Sequence, residues 1–161
     1  MDSVREAKIE EIIRKYDSNR DSLISILQDA QSEYRYLPES IIKLVARKLG
    51  LPLIQVYGVA TFFKAFSLKP RGKHLLSVCL GTACHVRGAP AVLDEVEREL
   101  CIKPGETSKD MQFTLETVNC LGACALGPIV VVDGEYHGHI VPGKVQATIN
   151  RCKKSPRDGK K

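Results

Sequence analysis

The chain has 161 residues, 43% of them hydrophobic and 27% charged, a length that holds one large domain or two small ones and buries a core without covalent staples. Its formal charge is +5, but residues 151–161 hold six of the 24 bases and one of the 19 acids, so the body is neutral. No apolar run approaches the roughly 20 residues of a membrane span, and Met1–Glu10 lacks the pattern of a secretion or import signal; a soluble cytoplasmic protein without membrane insertion is expected.

The first 66 residues read as helices. Ile9, Ile12, Ile13 and Tyr16 recur at i, i+3, i+4 and i+7, which lines one helix face. Leu23, Ile24, Leu27 and Ala30 repeat the pattern after the polar break Asp17-Ser18-Asn19. Pro38 suits the first turn of a third helix carrying Ile41, Ile42, Val45 and Leu49, with Gly50 as its left-handed cap. Pro52 opens a fourth helix running to about Phe63. These helices form a small bundle over residues 1–70, closed where Pro70 and Gly72 break the period. Phe62, Phe63 and Phe66 at its end serve either packing within the bundle or the docking of a partner.

Residues 71–152 follow a different grammar. His74–Cys79 is a short apolar run, Ala91–Leu100 carries Val92, Val96 and Leu100 at helical spacing, and Phe113–Asn119 alternates as a strand does. Ile129–Val132 and Glu135–Ile140 flank Asp133-Gly134, a hairpin signal, and Gly143–Cys152 closes the domain with a helix. Strand, helix, strand, hairpin and helix make an α/β layer with a mixed sheet, compatible with a thioredoxin-like fold. The expected fold class is α+β, an N-terminal helical bundle followed by a thioredoxin-like α/β domain. Residues 153–161 are expected to form a basic disordered tail.

Four of the six cysteines carry the chemistry. Cys79 and Cys84 form Cys-x4-Cys, Cys120 and Cys124 form Cys-x3-Cys, and each pair follows a predicted strand, so loops at one sheet edge can bring them together. Four thiolates are the usual donors of a [2Fe-2S] cluster, with Cys79 and Cys84 on one iron and Cys120 and Cys124 on the other. Gly81, Gly122 and Gly127 permit close approach and offer N–H groups to the cluster sulfides. Structural zinc takes four cysteines too, although its knuckles usually use Cys-x2-Cys, and buried or redox thiols are a third reading. Cys101 and Cys152 stand alone at helix ends and read as structural.

Other signals are weaker. Ala46, Gly50 and Val56 have helix-turn-helix spacing, but the helix opening Pro52-Leu53-Ile54 presents only Gln55, Tyr57 and Thr61 to base edges; no nucleic-acid partner is expected. Neither Gly-x-Gly-x-x-Gly nor Gly-x4-Gly-Lys occurs, so the chain has no nucleotide site of its own. His85 adjoins a cysteine and reads as an exposed loop residue, and His137 and His139 share one strand face. No acid lies between Glu39 and Asp94, an interval with eight bases that is expected to face something anionic. Of those bases, Lys73 and Arg87 adjoin the first cysteine loop; Arg87 either donates towards the cluster or caps the following helix.

The run Val78-Cys79-Leu80-Gly81-Thr82-Ala83-Cys84-His85-Val86-Arg87-Gly88-Ala89, with Asn119-Cys120-Leu121-Gly122-Ala123-Cys124 and Gly127-Pro128, resembles the thioredoxin-like [2Fe-2S] subunit family of NADH:ubiquinone oxidoreductase (complex I). That family also occurs in NAD(P)-linked and electron-bifurcating hydrogenases and in NAD-dependent formate dehydrogenases. Val56-Tyr57-Gly58-Val59-Ala60-Thr61-Phe62-Phe63 resembles its helical segment, with Phe63 where Tyr is frequent, and the likeness extends from about Glu6 to Arg151. The wording Gly-Thr-Ala-Cys-His-Val-Arg-Gly-Ala is similar to the soluble hydrogenase branch. The resemblance implies one [2Fe-2S] cluster on Cys79, Cys84, Cys120 and Cys124 and an electron-transfer subunit without catalytic residues or turnover of its own. It implies a flavin-bearing, NAD(P)H-binding iron-sulfur partner that carries FMN and NAD(P), and a further catalytic subunit such as a hydrogenase. The alternative is a zinc-stabilised structural or regulatory module without a redox role.

Overall fold

The apolar periodicity of the N-terminal residues becomes helices α1 (Asp2–Lys15), α2 (Leu23–Tyr34), α3 (Glu39–Leu49) and α4 (Leu53–Phe62) in the computed structural model, which describes residues 2–154. Asn19 ends the break before α2 by accepting the Asp21 N–H on its side chain at 3.0 Å, a local cap that orients the next helix. Pro38 and Pro52 each stand one residue before their helix, in extended backbone, rather than within its first turn. Gly50 ends α3 at φ +61, where its N–H reaches the Ala46 and Arg47 carbonyls, the left-handed closure that a Cβ disfavours.

The bundle core is built from Ile9, Ile26, Leu27, Ala30, Val45 and Val56, all fully buried. Each large aliphatic side chain removed from water in this way contributes roughly 1.5–3 kcal/mol. In α2 the buried set is Leu23, Ile26, Leu27 and Ala30, whereas Ile24, expected on the apolar face, is 40% exposed. Both isoleucines satisfy a loose apolar pattern, but only Ile26 lies at i+3 from Leu23 and falls on the core stripe. Phe66 is buried in this core and Phe62 is 81% exposed, so the aromatic group divides between packing and surface.

Three of the eight bases in the acid-free interval pair with acids of the same helix or of other segments. Lys43 pairs with Glu39 at 2.6 Å, Lys48 with Glu10 at 2.6 Å and Arg71 with Glu116 at 2.7 Å.

The described residues divide between Pro70 and Arg71 into two compact units. The second holds β1 (His74–Cys79), α5 (Thr82–Val86), α6 (Ala89–Leu100), β2 (Phe113–Val118), β3 (Val130–Val132), β4 (Glu135–His137) and α7 (Pro142–Lys154). The sheet order is β2-β1-β3-β4, with β1 parallel to β2 and the other pairings antiparallel. Leu76, Val78, Phe113 and Leu115 share one core with Val92 and Val96 of α6 and Val145 and Ile149 of α7.

Asp133 and Gly134 both take positive φ between β3 and β4, as a tight hairpin with right-handed twist requires. The Asp133 carboxylate also accepts the Leu75 N–H at 2.9 Å and lies 2.6 Å from Nδ1 of the buried His74, tying the hairpin to β1. Strand β4 stops at His137, and His139 lies beyond it at φ +51, so the two histidines do not share a strand face. Helix α6 starts at Ala89, two residues earlier than the periodicity marks, and α7 continues through Lys154, so the first two residues of the expected tail are helical. The rest of that tail lies outside the described residues. No helix among the described residues is long and apolar enough to cross a membrane.

Candidate metal centre

Parallel pairing of β1 with β2 sends both strands out at the same sheet edge. Cys79, the last residue of β1, is in register with Val118, the last of β2, so the chain has only Asn119 to cross before Cys120. Cys79 sits in a central strand: its N–H bonds the Ile129 carbonyl at 3.1 Å on one side, and on the other Leu80 N–H bonds the Val118 carbonyl at 2.8 Å. The following loop turns into the short helix α5, which carries Cys84 inward. A 3-10 turn, Cys124–Leu126, ends the second loop.

These two loops enclose a cavity of about 320 Å³ lined by Cys79, Cys84, Cys120 and Cys124. Cys79 and Cys84 are each 2% exposed, whereas Cys120 and Cys124 are exposed. One half of the donor set is thus sunk in the domain and the other faces outward. Burial pushes the Cys84 thiol above its ordinary value; the hydrogen-bonded Cys79 and the charge of Cys124 add to the rise, and a backbone hydrogen bond at Ile129 opposes it.

Three glycines hold the loops close enough, each by a different means. A Cβ on Gly81 would lie 2.5 Å from the Asn119 carbonyl oxygen, a backbone atom, so the first loop can touch the second only without a side chain there. A Cβ on Gly127 would lie 3.1 Å from the Cys84 sulfur and 3.3 Å from the Cys124 carbonyl. Gly122 takes φ +77, and its N–H donates to the Cys120 sulfur at 3.3 Å. The Gly122 N–H is thus aimed at a cysteine sulfur.

Supports outside the cysteine motifs complete the second loop. Arg87 Nη1 donates to the Cys124 carbonyl at 2.7 Å, and Gly127 N–H bonds the same oxygen at 3.1 Å. On the other side His139 N–H bonds the Leu126 carbonyl at 2.8 Å, while a Cβ on Gly138 would meet that oxygen at 3.0 Å. Asn119 and Gly138 escape a reading of the sequence because neither carries a ligating side chain and each acts through backbone contact with a residue distant in the chain.

The remaining candidates lie elsewhere. None of the four histidines lines the cavity, and His85 is exposed. Cys101 caps the C-terminus of α6 at φ +52 and is exposed; Cys152 is half-buried in α7, where burial pushes its thiol up.

The cavity offers four thiols and no imidazole or carboxylate, a soft donor set suited to iron-sulfur or zinc chemistry. Zinc knuckles usually space their cysteines as Cys-x2-Cys, whereas the pairs here are Cys-x4-Cys and Cys-x3-Cys. Four thiols around one cavity are the donor set of a dinuclear group that takes two thiolates at each metal.

Residues 9–153 match the family model described as thioredoxin-like [2Fe-2S] ferredoxin. The HndA subunit of the NADP-reducing hydrogenase of Solidesulfovibrio fructosivorans is 38% identical over 139 residues, covering 86% of this chain and 81% of that protein. A subunit of the NADH-quinone oxidoreductase of Escherichia coli (strain K12) is 35% identical over 149 residues, covering 92% of this chain and 89% of that protein. A chain of an NAD+-reducing [NiFe]-hydrogenase solved in the air-oxidized state shares the fold at TM-score 0.74 and 18% identity, over 87% of this chain and 24% of that one.

Proposed function

The chain belongs to the thioredoxin-like [2Fe-2S] ferredoxin family, and from that membership we propose that it is the electron-transfer subunit of a multisubunit NAD(P)H-linked oxidoreductase. Its cluster is held by Cys79 and Cys84 on one iron and by Cys120 and Cys124 on the other. It exchanges electrons with an FMN-bearing, NAD(P)H-binding partner in the cytoplasm, within an NADH dehydrogenase or an NAD(P)-dependent or electron-bifurcating hydrogenase. The observation that carries this reading is the meeting of four cysteines from two distant segments around one cavity whose walls supply no other metal ligand.

A bound [2Fe-2S] cluster supplies reversible one-electron chemistry at nearly fixed geometry. The chain's own contribution is positional. The end of β1 and helix α5 fix the buried pair of thiolates, and the turn at Cys124 presents the exposed pair towards the surface. The Gly122 N–H stabilises negative charge on the Cys120 sulfur, as hydrogen bonds to ligand sulfur do. No residue need act as acid or base, and the isolated chain is expected to turn over no substrate.

Our candidate for the partner contact is the uncharged helix α4, which leaves Ile54 76% and Phe62 81% exposed. The test is co-purification from the native source followed by addition of NADH or NADPH under anaerobic conditions. The proposed role requires that the nicotinamide reduce the cluster when the FMN-bearing subunit is present and leave it oxidised in the isolated chain. Reduction of the isolated chain by nicotinamide alone would overturn it.

A further inference from the structure

Arg87 is the one formally charged side chain in the two segments that carry the cysteines. Between Leu75 and Leu93, and again between Thr117 and Val132, the sequence contains no other Asp, Glu, Lys or Arg. A four-thiolate cluster at this position would carry a net negative charge that grows by one on reduction. Across both segments a single fixed cation is available to answer it.

The side chain is also directed. Arg87 ends α5, three residues after Cys84, and the helix that follows is capped by Gly88. Instead of capping that helix, Arg87 reaches across to the other cysteine loop, where Nη1 donates to the Cys124 carbonyl at 2.7 Å. The same nitrogen would lie 3.5 Å from a Cβ on Gly127, so the guanidinium reaches both ends of the Cys124–Gly127 turn. That carbonyl already accepts the Gly127 N–H at 3.1 Å, and the arginine completes its second lone pair. One residue therefore fastens the turn bearing an outward ligand to the helix bearing a buried one.

We propose that Arg87 is a positioning residue that sets the reduction potential of the site, holding the Cys124 turn against α5 and placing the one formal positive charge of the two cysteine segments beside the exposed half of the ligand set. This rests on the assignment of the four cysteines as cluster ligands. A cation near the cluster favours the more negative, reduced form. The guanidinium is solvent-exposed, so water and salt screen part of its field, and the effect is smaller than a buried charge would give.

The experiment is anaerobic redox titration of the full-length chain, followed by the EPR signal of the reduced cluster, for the wild type, R87Q and R87K. R87Q is expected to lower the ratio of reduced to oxidised cluster about tenfold at a fixed ambient potential, a shift of about 59 mV for a one-electron couple. R87K, which keeps the charge, is expected to stay within about threefold of wild type, about half that shift on the same scale. A potential for R87Q equal to that of wild type, or a shift in R87K as large as in R87Q, overturns the proposal. If R87Q fails to retain the cluster, R87K decides: retention with a native-like potential supports the role, and a tenfold loss refutes it. A wild-type chain with no [2Fe-2S] spectrum would contradict the ligand assignment itself, an outcome separable from any effect of Arg87.

Discussion

A Cβ at Gly81 would lie 2.5 Å from the Asn119 carbonyl oxygen, and that oxygen cannot step aside without moving the backbone that leads into Cys120. Gly81→Ala is therefore expected to force the two cysteine loops apart at an overpacking cost of about 1–3 kcal/mol. Its measurable result is a lower cluster content per chain, read from visible absorption; a content equal to wild type would contradict the close approach. Among the cysteines, Cys124→Ser is expected to abolish or severely perturb the EPR signal, whereas Cys101→Ser and Cys152→Ser, away from the cavity, should leave it intact. Loss of the signal in either of the last two would show that the ligand set is misassigned. That Cys79, Cys84, Cys120 and Cys124 group apart from Cys101 and Cys152 can be read from the sequence, since paired spacing after a strand is a local property. The Gly81–Asn119 and Gly138–Leu126 contacts cannot, because each depends on which residue of a distant loop the fold brings opposite.

At the scale of elements, the helices and strands follow from periodicity wherever one face is buried and the other wet. The exceptions have physical causes. Helix α5 is five residues long, too short for any periodic pattern to register. In β2 the alternation fails because Thr114 is buried along with Phe113 and Leu115; its hydroxyl accepts the Gly72 N–H at 2.7 Å and pairs with that of Thr107 at 2.8 Å, so the polar side chain is satisfied inside. Helices α1 and α2 are joined by Asp29, which accepts from Lys15 at 2.8 Å and from the Tyr16 hydroxyl at 3.0 Å. The Lys15 hydrogen bond holds the Asp29 carboxyl below its ordinary value, with Tyr16 assisting and burial opposing. A carboxyl lowered in the folded state adds stability above its unfolded value of about 3.9, and the contribution is lost as the pH falls through the folded value. Asp29→Asn should thus cost roughly 0.2–1 kcal/mol at neutral pH, as partly exposed ion pairs do. In denaturant unfolding the difference from wild type should shrink at about pH 2, and a difference constant with pH would contradict this.

For the whole molecule, the sequence separates a helical region from an α/β region at the Pro70 to Gly72 break, and the described residues divide between Pro70 and Arg71. Composition alone does not show pairing: of the eight bases in the interval without acids, Lys43, Lys48 and Arg71 find acids supplied by their own helix or by other segments. The partner surface is accordingly argued from apolar exposure. Replacing both Ile54 and Phe62 by Asp should weaken binding to the flavin-bearing partner by at least about 2 kcal/mol if these residues anchor the contact, with the cluster spectrum of the isolated chain unchanged; undiminished co-purification would place the contact elsewhere.

Metal analysis and EPR of the chain purified anaerobically test whether the four cysteines hold a [2Fe-2S] cluster that carries single electrons. A reddish-brown protein with iron and acid-labile sulfide in equal amounts and a rhombic [2Fe-2S] signal after reduction is expected. A colourless protein containing zinc and no sulfide would contradict it.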